Sequence, residues 1–182
     1  MTSEEPGGVD STGGESPPEP GDGPFRLGDQ YALERWVESE LSPMSERLSE
    51  AVALQERIGY TEGVIAALHL RGLASLAADD LPAARAHHER ALGLALAIGH
   101  AAAMCEAIEG LACVAAKQSE AARAAELLSL ADTHRARRSL PRRHDDAECI
   151  SRLYIELGDS ARASAVPTTQ SLEDAVNHVL GL

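Results

Sequence analysis

The sequence has few of the residues that build β-sheets, disulfide frameworks or membrane spans. Only 3% of its 182 residues are aromatic, and Ala and Leu dominate from about residue 50 onward, which favours helices over a sandwich or barrel. No apolar run approaches the roughly 18 residues that cross a bilayer, and the N-terminus MTSEEPGGVD lacks a secretory signal. We therefore expect an all-α, cytoplasmic protein. Its three cysteines lie at no metal-like spacing, so we expect packing or idle thiols: Cys105, Cys113 and Cys149.

Positive charge is also scarce, above all at the front of the chain. The formal net charge is −13, and residues 1–50 carry twelve acidic but only three basic side chains, which argues against nucleic acid as a partner. Residues 1–28 contain seven Gly and five Pro, so little apolar surface offsets the entropy of ordering them. We predict a disordered acidic tail over residues 1–28, either a regulatory arm or a spacer, and a helical domain over residues 29–182.

What the chain does contain is an internal repeat. The stretch GLASLAADDLPAARAHHERAL begins at Gly72, and the similar GLACVAAKQSEAARAAELLSLAD begins at Gly110. We expect each Gly-Leu-Ala to open a helix that an Ala-rich helix follows. Because one such unit cannot bury both of its faces, neighbouring units must stack into a helical-hairpin solenoid. A slightly longer shift also aligns similar residues: Ala51, Ala91 and Ala131, and Ile58-Gly59 with Ile98-Gly99.

Shorter signals flank the repeat. Apolar residues between 31 and 41 predict a short amphipathic helix, anchored by Trp36 and ended at Ser42-Pro43, because the residue before proline leaves the α region. A second helix should follow from about Pro43. Residues 145–157 predict a later helix with Gly158 as its C-cap.

The end of the chain predicts one further helix. Ser171-Leu172-Glu173-Asp174 has the form of a capping box, in which the serine hydroxyl accepts a hydrogen bond from an early helix amide. We expect a closing helix over residues 172–180. The C-terminal helices should cap the open end of the solenoid, which repeat proteins need in order to cover an unpaired apolar face.

The repeat resembles the tetratricopeptide family. The spacing of Gly72, Ala84 and Ala91 matches the small-residue positions of that repeat, although Arg71 stands where Leu is usual and His88 where an aromatic is usual. More specifically, EGLACVAAKQSEAARAAELLSLADTHRARRSLP, followed by LGD and SLEDAVNHVL, resembles the C-terminal repeat region of bacterial transcriptional regulators of the LuxR and SARP kinds. The resemblance implies a protein-binding scaffold. The chain has no GxxxxGK[ST] loop and no separate helix-turn-helix pattern.

The resemblance also implies where a partner binds. In tetratricopeptide proteins the first helix of each unit lines a concave groove, which suits docking of a helix or an extended peptide. Leu73 and Leu111 alternatively pack between helices. The groove residues that the resemblance implies are His69, Leu73 and Leu76 of one unit and Ala107, Leu111 and Val114 of the next.

One basic cluster interrupts the acidic background, in the stretch THRARRSLPRRH over residues 133–144. Three interpretations remain open for it: cations favoured by a helix dipole, a site for an acidic protein, or a nucleic-acid contact. The nucleic-acid interpretation makes the chain a transcription-linked regulator. The cluster consists of Arg135, Arg137, Arg138, Arg142 and Arg143.

No residue pattern predicts catalysis. Adjacent residues such as His87-His88 point about 100° apart on a helix and cannot easily bind one ion together. No Ser, Cys or Asp lies in a recognisable nucleophile motif. We therefore expect a non-enzymatic interaction module without metal or cofactor. The alternatives are the transcription-linked regulator and a sensor that holds a small molecule inside the superhelix.

Overall fold

The computed structural model describes residues 30–163 and 170–182. Within them the chain is all helical, with no strand, which confirms the predicted class. The chain divides between Trp36 and Val37, and the contacts described below belong to the unit Val37–Leu182. The helices are α1 Gln30–Arg57, α2 Thr61–Ala77, α3 Leu81–Ala97, α4 Ala101–Lys117, α5 Ala121–Arg138, α6 His144–Ala163 and α7 Leu172–Leu180.

The four central helices repeat with a fixed period. Helices α2, α3 and α4 are each 17 residues long and α5 has 18, and their first residues are evenly spaced, at positions 61, 81, 101 and 121. The hairpin α2–α3 is therefore repeated by α4–α5 at the interval that separates Ala51 from Ala91, which confirms that alignment. In space, α2 packs on α3, α3 on α4 and α4 on α5, while α4 also contacts α2 and α6.

The connecting turns repeat as well. In each, the amide one residue past a positive-φ position donates to the carbonyl five residues back, as His100 N does to Ala95 O at 2.9 Å. This bond is the outer hydrogen bond of a Schellman motif, which ends a helix by reversing the backbone into the left-handed region. The positive-φ positions are spaced as evenly as the helices, at Gly59, Asp79, Gly99, Ser119 and Ser139.

The Gly-Leu-Ala triplets do not open helices, contrary to the sequence-based expectation. Gly72 lies inside α2 and Gly110 inside α4, and both face the fully buried imidazole of His88 on α3. A Cβ atom on Gly72 would lie 2.4 Å from His88 Nε2, and one on Gly110 would lie 2.3 Å from His88 Cε1. The two triplets are therefore not at equivalent positions of their helices. Their glycines instead make room, from α2 and from α4, for the single side chain of His88.

The predicted break at Ser42-Pro43 is wrong, because α1 continues through Pro43. Proline removes one backbone hydrogen bond, and the helical bonds on both sides outweigh that loss within a helix of 28 residues. The tail at residues 1–28 and the side chain of Trp36 lie outside the described residues.

The predicted bounds and N-cap of the last helix are confirmed. Gly158, with φ 60° and ψ −155°, interrupts α6, and helical structure resumes up to Ala163. Helix α7 has the predicted bounds, and the Ser171 hydroxyl accepts a hydrogen bond from Asp174 N at 3.0 Å. Helix α7 buries Leu172 and Val176 completely and packs on α3. No helix in the described ranges combines the length and apolar character needed to cross a bilayer.

Candidate binding cleft and its charged floor

A small, shallow cleft lies where α2, α4 and α6 meet, with a volume of about 10 Å³, enough for about one water molecule. Its position follows from the repeat, because residues at the same distance from the helix start occupy equivalent places on α2 and α4. His69 and Leu73 of α2 are thus matched by Glu109 and Cys113 of α4. The residues that line the cleft are His69, Leu73, Glu106, Glu109, Gly110, Cys113 and Ile150.

The six groove residues suggested by the sequence separate into two groups. His69 and Leu73 line the cleft. The other four do not line it and are buried in the core: Leu76 at 7% exposure, Ala107 at 1%, Leu111 at 5% and Val114 at 0%. His69 is itself 4% exposed, so Leu73 alone of the six is partly accessible. The sequence comparison paired α2 with α4 through the two triplets, whose interval is two positions shorter than that of the helices. Contact of any of the six with a partner stays a prediction.

Glu109 forms the charged floor of the cleft. Arg135 donates to it in a bidentate pair, from Nε to Oε1 and from Nη2 to Oε2, each at 2.8 Å. Arg142 Nε donates to Oε1, also at 2.8 Å. Glu109 is 3% exposed and Arg135 5% exposed. Both carboxylate oxygens of Glu109 are therefore held by guanidinium groups inside the protein, where such charge-assisted bonds are strong.

The network continues from Glu109 to α6. Arg142 also donates to Asp132 of α5, and the Tyr154 hydroxyl of α6 donates to the same carboxylate. Burial and this hydrogen bond raise the pKa of Tyr154, so the phenol stays protonated as a donor. Arg135 Nη1 also donates to Pro141 O at 2.9 Å, in the segment between α5 and α6. Two carboxylates and two guanidinium groups thus tie α4, α5 and α6 together with no net charge.

The predicted basic cluster is not one cationic surface. Arg135 and Arg142 belong to the Glu109 network, and Arg138 lies 3.7 Å from Glu173 of α7. Arg137 and Arg143 are exposed. Ion pairs within the protein thus engage Arg135, Arg138 and Arg142, and the three interpretations made from the sequence stay predictions.

His134, buried at 1% exposure, accompanies this cluster. Arg138 Nη1 lies 3.1 Å from His134 Nδ1, so the imidazole nitrogen accepts from the guanidinium. Burial, and then the charges of Arg138 and Arg137, lower the pKa of His134. A neutral imidazole follows from all three influences.

Glu106 differs from Glu109 although both line the cleft. Glu106 is half-buried, and within the described part of the chain it forms no ion pair or hydrogen bond. None of the lining residues is Lys or Arg. The accessible walls of the cleft are almost entirely apolar.

The thiol of Cys105, near the cleft, is not activated. Burial raises the pKa of Cys105 to about 11, and the residue is fully buried, so its thiol stays protonated near neutral pH. Cys113 is partly exposed in the cleft. No group of three or more His, Cys, Asp or Glu residues among those that the structure describes could hold a metal ion.

Sequence reasoning missed Glu109, Asp132 and Tyr154. Glu109 is separated from Arg135 by 26 residues and from Arg142 by 33, so no local pattern connects them. One signal was present: the shift that aligns Ala51 with Ala91 also places Glu109 opposite His69.

Comparison with known proteins brings no relative. No family model, no curated protein and no solved structure matches the chain.

Proposed function

We propose that this chain is a non-catalytic interaction module, a scaffold of tetratricopeptide-like hairpins that binds a peptide segment of a partner protein across the surface where α2, α4 and α6 meet. The observation that supports it is the shallow cleft there, where side chains from three helices leave an apolar depression. The resemblance to the repeat region of LuxR- and SARP-type regulators adds a role in a regulatory pathway.

Apolar burial would supply most of the affinity. Leu73 is partly exposed in the cleft and faces the same space as Ile150. An apolar side chain laid over this surface removes apolar area from water, which contributes about 25 cal/mol per Å² before the entropy of binding is subtracted. Because the cleft has a volume of only about 10 Å³, a segment would lie across it rather than insert a side chain.

Fixed charge, rather than proton transfer, suits the floor of the cleft. Both oxygens of Glu109 accept hydrogen bonds from arginine, which holds the carboxylate in one orientation. Such a carboxylate positions the side chains around it. Its two oxygens already accept hydrogen bonds from arginine before any ligand binds.

Selection from a displayed library of random peptides tests this function. The wild type should enrich peptides with a common apolar position, and Leu73→Glu should weaken their binding at least about tenfold, the effect of losing a central contact. Ile155→Glu is the matched control, because Ile155 is 80% exposed on α6 and does not line the cleft.

Far-UV circular dichroism and thermal melting must show that the variants remain folded. If Leu73→Glu unfolds the protein, Leu73→Ala, which shortens the wall without adding charge, takes its place. Equal binding by the wild type and both folded variants, or no enriched peptide at all, would contradict the proposed function.

A further inference from the structure

A second depression lies on the surface between the end of α5 and the start of α6. Its volume is about 800 Å³, far larger than that of the cleft, and it opens widely to solvent. Polar as well as apolar atoms are accessible on its surface, so a ligand can reach charged groups there and not only hydrocarbon. Its lining includes Asp132, Ser139, Leu140, Pro141, Arg142 and Ala147.

Arg142 offers an ordered hydrogen-bond donor in this depression. Its Nε donates to Glu109 at 2.8 Å and its Nη2 donates to Asp132, so the guanidinium is held in one orientation. Its Nη1 donates to no group in the described chain, and the side chain is 24% exposed. Because the group is already ordered, an incoming acceptor meets it at little cost in side-chain entropy.

The charge around Arg142 is positive, although the chain as a whole is acidic. Residues 133–144 contain five Arg and no Asp or Glu. Arg135 and Arg142 are balanced within the Glu109 network, but Arg143 is exposed and forms no ion pair with the residues that the structure describes. Charges more than about 8–10 Å apart are largely screened at physiological salt, so the acidic residues far from this loop weigh little here.

Apolar surface adjoins these cations, since Pro141 is exposed and Leu140 and Ala147 are partly exposed in the lining. From this juxtaposition we infer that the depression is a second binding surface, which takes a segment of a partner protein that carries an Asp or Glu beside an apolar side chain. Charge complementarity selects this occupant. The carboxylate accepts from Arg142 Nη1 and is attracted by Arg143, while the apolar side chain covers the hydrocarbon. A basic side chain at the same place is repelled.

The preference for an acidic side chain should be modest. Arg143 is exposed, and an exposed ion pair contributes little because water and salt screen it. Asp145 and Asp146 also follow the arginines in the sequence. Replacing the acidic side chain of the ligand with its neutral amide should therefore weaken binding about three- to fivefold. The preference should disappear near 1 M salt, where the Debye length falls to about 3 Å.

Three synthetic peptide pools test the inference. Each has a fixed central Leu followed by Glu, Gln or Lys, with random uncharged flanking residues, and each is titrated against the full chain by fluorescence anisotropy. The wild type should bind the Glu pool most tightly and the Lys pool least. Arg143→Gln should reduce the preference for Glu over Gln, and Arg143→Glu should reverse the order of the Glu and Lys pools.

The control variant is Arg57→Glu, since Arg57 is exposed in the last turn of α1 and does not line the depression. It changes the net charge as Arg143→Glu does, and should leave the order of the pools unchanged. Both variants should keep the wild-type circular dichroism, because an acidic side chain is favourable at the N-terminus of α6 and Arg57 is exposed. The same loss of preference in both variants would show a general charge effect and overturn the inference.

Amide NMR of the full chain locates the bound peptide. A peptide from the Glu pool should shift the amide signals of Ser139, Leu140 and Ala147, and the signals of Leu73 and Gly110 at the cleft should stay in place. Shifts confined to the cleft, equal binding of the three pools, or no binding at all would overturn the second surface. Tighter binding of a single-stranded oligonucleotide that Arg143→Glu abolishes would assign the surface to nucleic acid and overturn the inference as well.

The inference does not rest on the proposed function, and the two fail separately. Leu73→Glu weakens binding at the cleft but leaves the order of the three pools unchanged if the second surface binds them. If the pools bind equally while Leu73→Glu still weakens the library peptides, the second surface is wrong and the cleft stands. If Arg143→Glu reverses the order of the pools while Leu73→Glu has no effect on any peptide, the cleft is wrong and the second surface stands.

Discussion

The two hairpins of the array share a backbone but differ in what holds their interiors together. Residue 69 of the first is a histidine, and its equivalent in the second is Glu109. Ala95 of α3 is fully buried, whereas its equivalent on α5 is Arg135. A buried ion pair is therefore found in α4–α5 at places where α2–α3 carries a histidine and an alanine.

The difference shows which features the repeat requires and which it only permits. Turns of one geometry and fully buried alanines recur in both hairpins, as at Ala84 and Ala124, and these set the helix lengths and spacing. The buried pair of Glu109 and Arg135 belongs to the second hairpin, which α6 follows. Arg142, in the segment between α5 and α6, donates to Glu109 and so joins that segment to the pair. These charges thus serve the junction with α6 rather than the repeat.

The largest expected loss of stability comes from removing the Glu109 carboxylate, which holds the junction with α6 together. Glu109→Ala leaves Arg135 buried without a carboxylate, and losing one partner of a buried pair costs about 3–5 kcal/mol. Urea denaturation followed by far-UV circular dichroism measures the change in the free energy of unfolding. Glu106→Gln, one turn away and without an ion pair in the described chain, should change it by less than about 0.5 kcal/mol. Similar values for the two variants would contradict the assigned role of Glu109.

The contact between the hairpins can be broken from α4. Gly110→Ala places a methyl group against the His88 ring, which is fully buried between two helices and has little room to move. Such overpacking should destabilise the fold by about 1–3 kcal/mol. Gly93→Ala is the matched control on α3, because nothing lies within 4 Å of a Cβ there, and it should stabilise by about 0.5–1 kcal/mol. Thermal melting should show a lower melting temperature for Gly110→Ala and a higher one for Gly93→Ala. An unchanged melting temperature for Gly110→Ala would contradict close packing of Gly110 against the His88 ring.

The turns offer a smaller test of their shared geometry. Ser119 has φ 63° and Gly99 has φ 70°, a region that costs a non-glycine residue free energy. Ser119→Gly should therefore stabilise by about 0.5 kcal/mol, and Gly99→Ser should destabilise by about 1 kcal/mol. Urea denaturation separates the two. Changes of the same sign would show that the turns are not equivalent.

The smallest expected effect is a loss of unfolding free energy at acid pH that comes from the second hairpin. His134 is equivalent to Leu94 of the first hairpin, and burial with two neighbouring arginines lowers its folded-state pKa from 6.5. The unfolded chain then binds a proton more readily, so this part of the stability is present above about pH 6.5 and declines as pH falls toward the lowered pKa. His134→Leu copies the first hairpin and should reduce the loss of unfolding free energy between about pH 7.5 and about pH 5.5. An unchanged loss would exclude His134 as its source.

Local signals in the sequence predicted several helix boundaries. Ser171 and Gly158 mark helix boundaries through their own backbone and capping chemistry, so their positions could be read directly. Helix α1 was misread at Pro43, because a local preference was outweighed by neighbouring helical bonds. The triplet at Gly110 was misread because its spacing reflects contact with His88. Long-range ion pairs such as Glu109 with Arg135 join residues that no local pattern relates.

The candidate site was only partly predictable for the same reason. The resemblance implies His69 and Leu73 as groove residues; both line the cleft, and their contact with a partner stays a prediction. Their neighbours across the cleft depend on the register between two helices. A register error of two positions replaces Glu109 by Ala107, and this moves the prediction from the cleft to the core.

The most direct measurement of the central claim is methyl NMR of the full chain, with its Ile and Leu methyl groups labelled, during titration with a peptide enriched from the displayed library. Binding in the cleft should shift the methyl signals of Leu73 and Ile150, which line it. The exposed side chains of Ile58 and Ile155 lie outside the lining and should not shift. Shifts at Ile58 or Ile155 without shifts at Leu73 and Ile150 would place the ligand elsewhere and contradict the account.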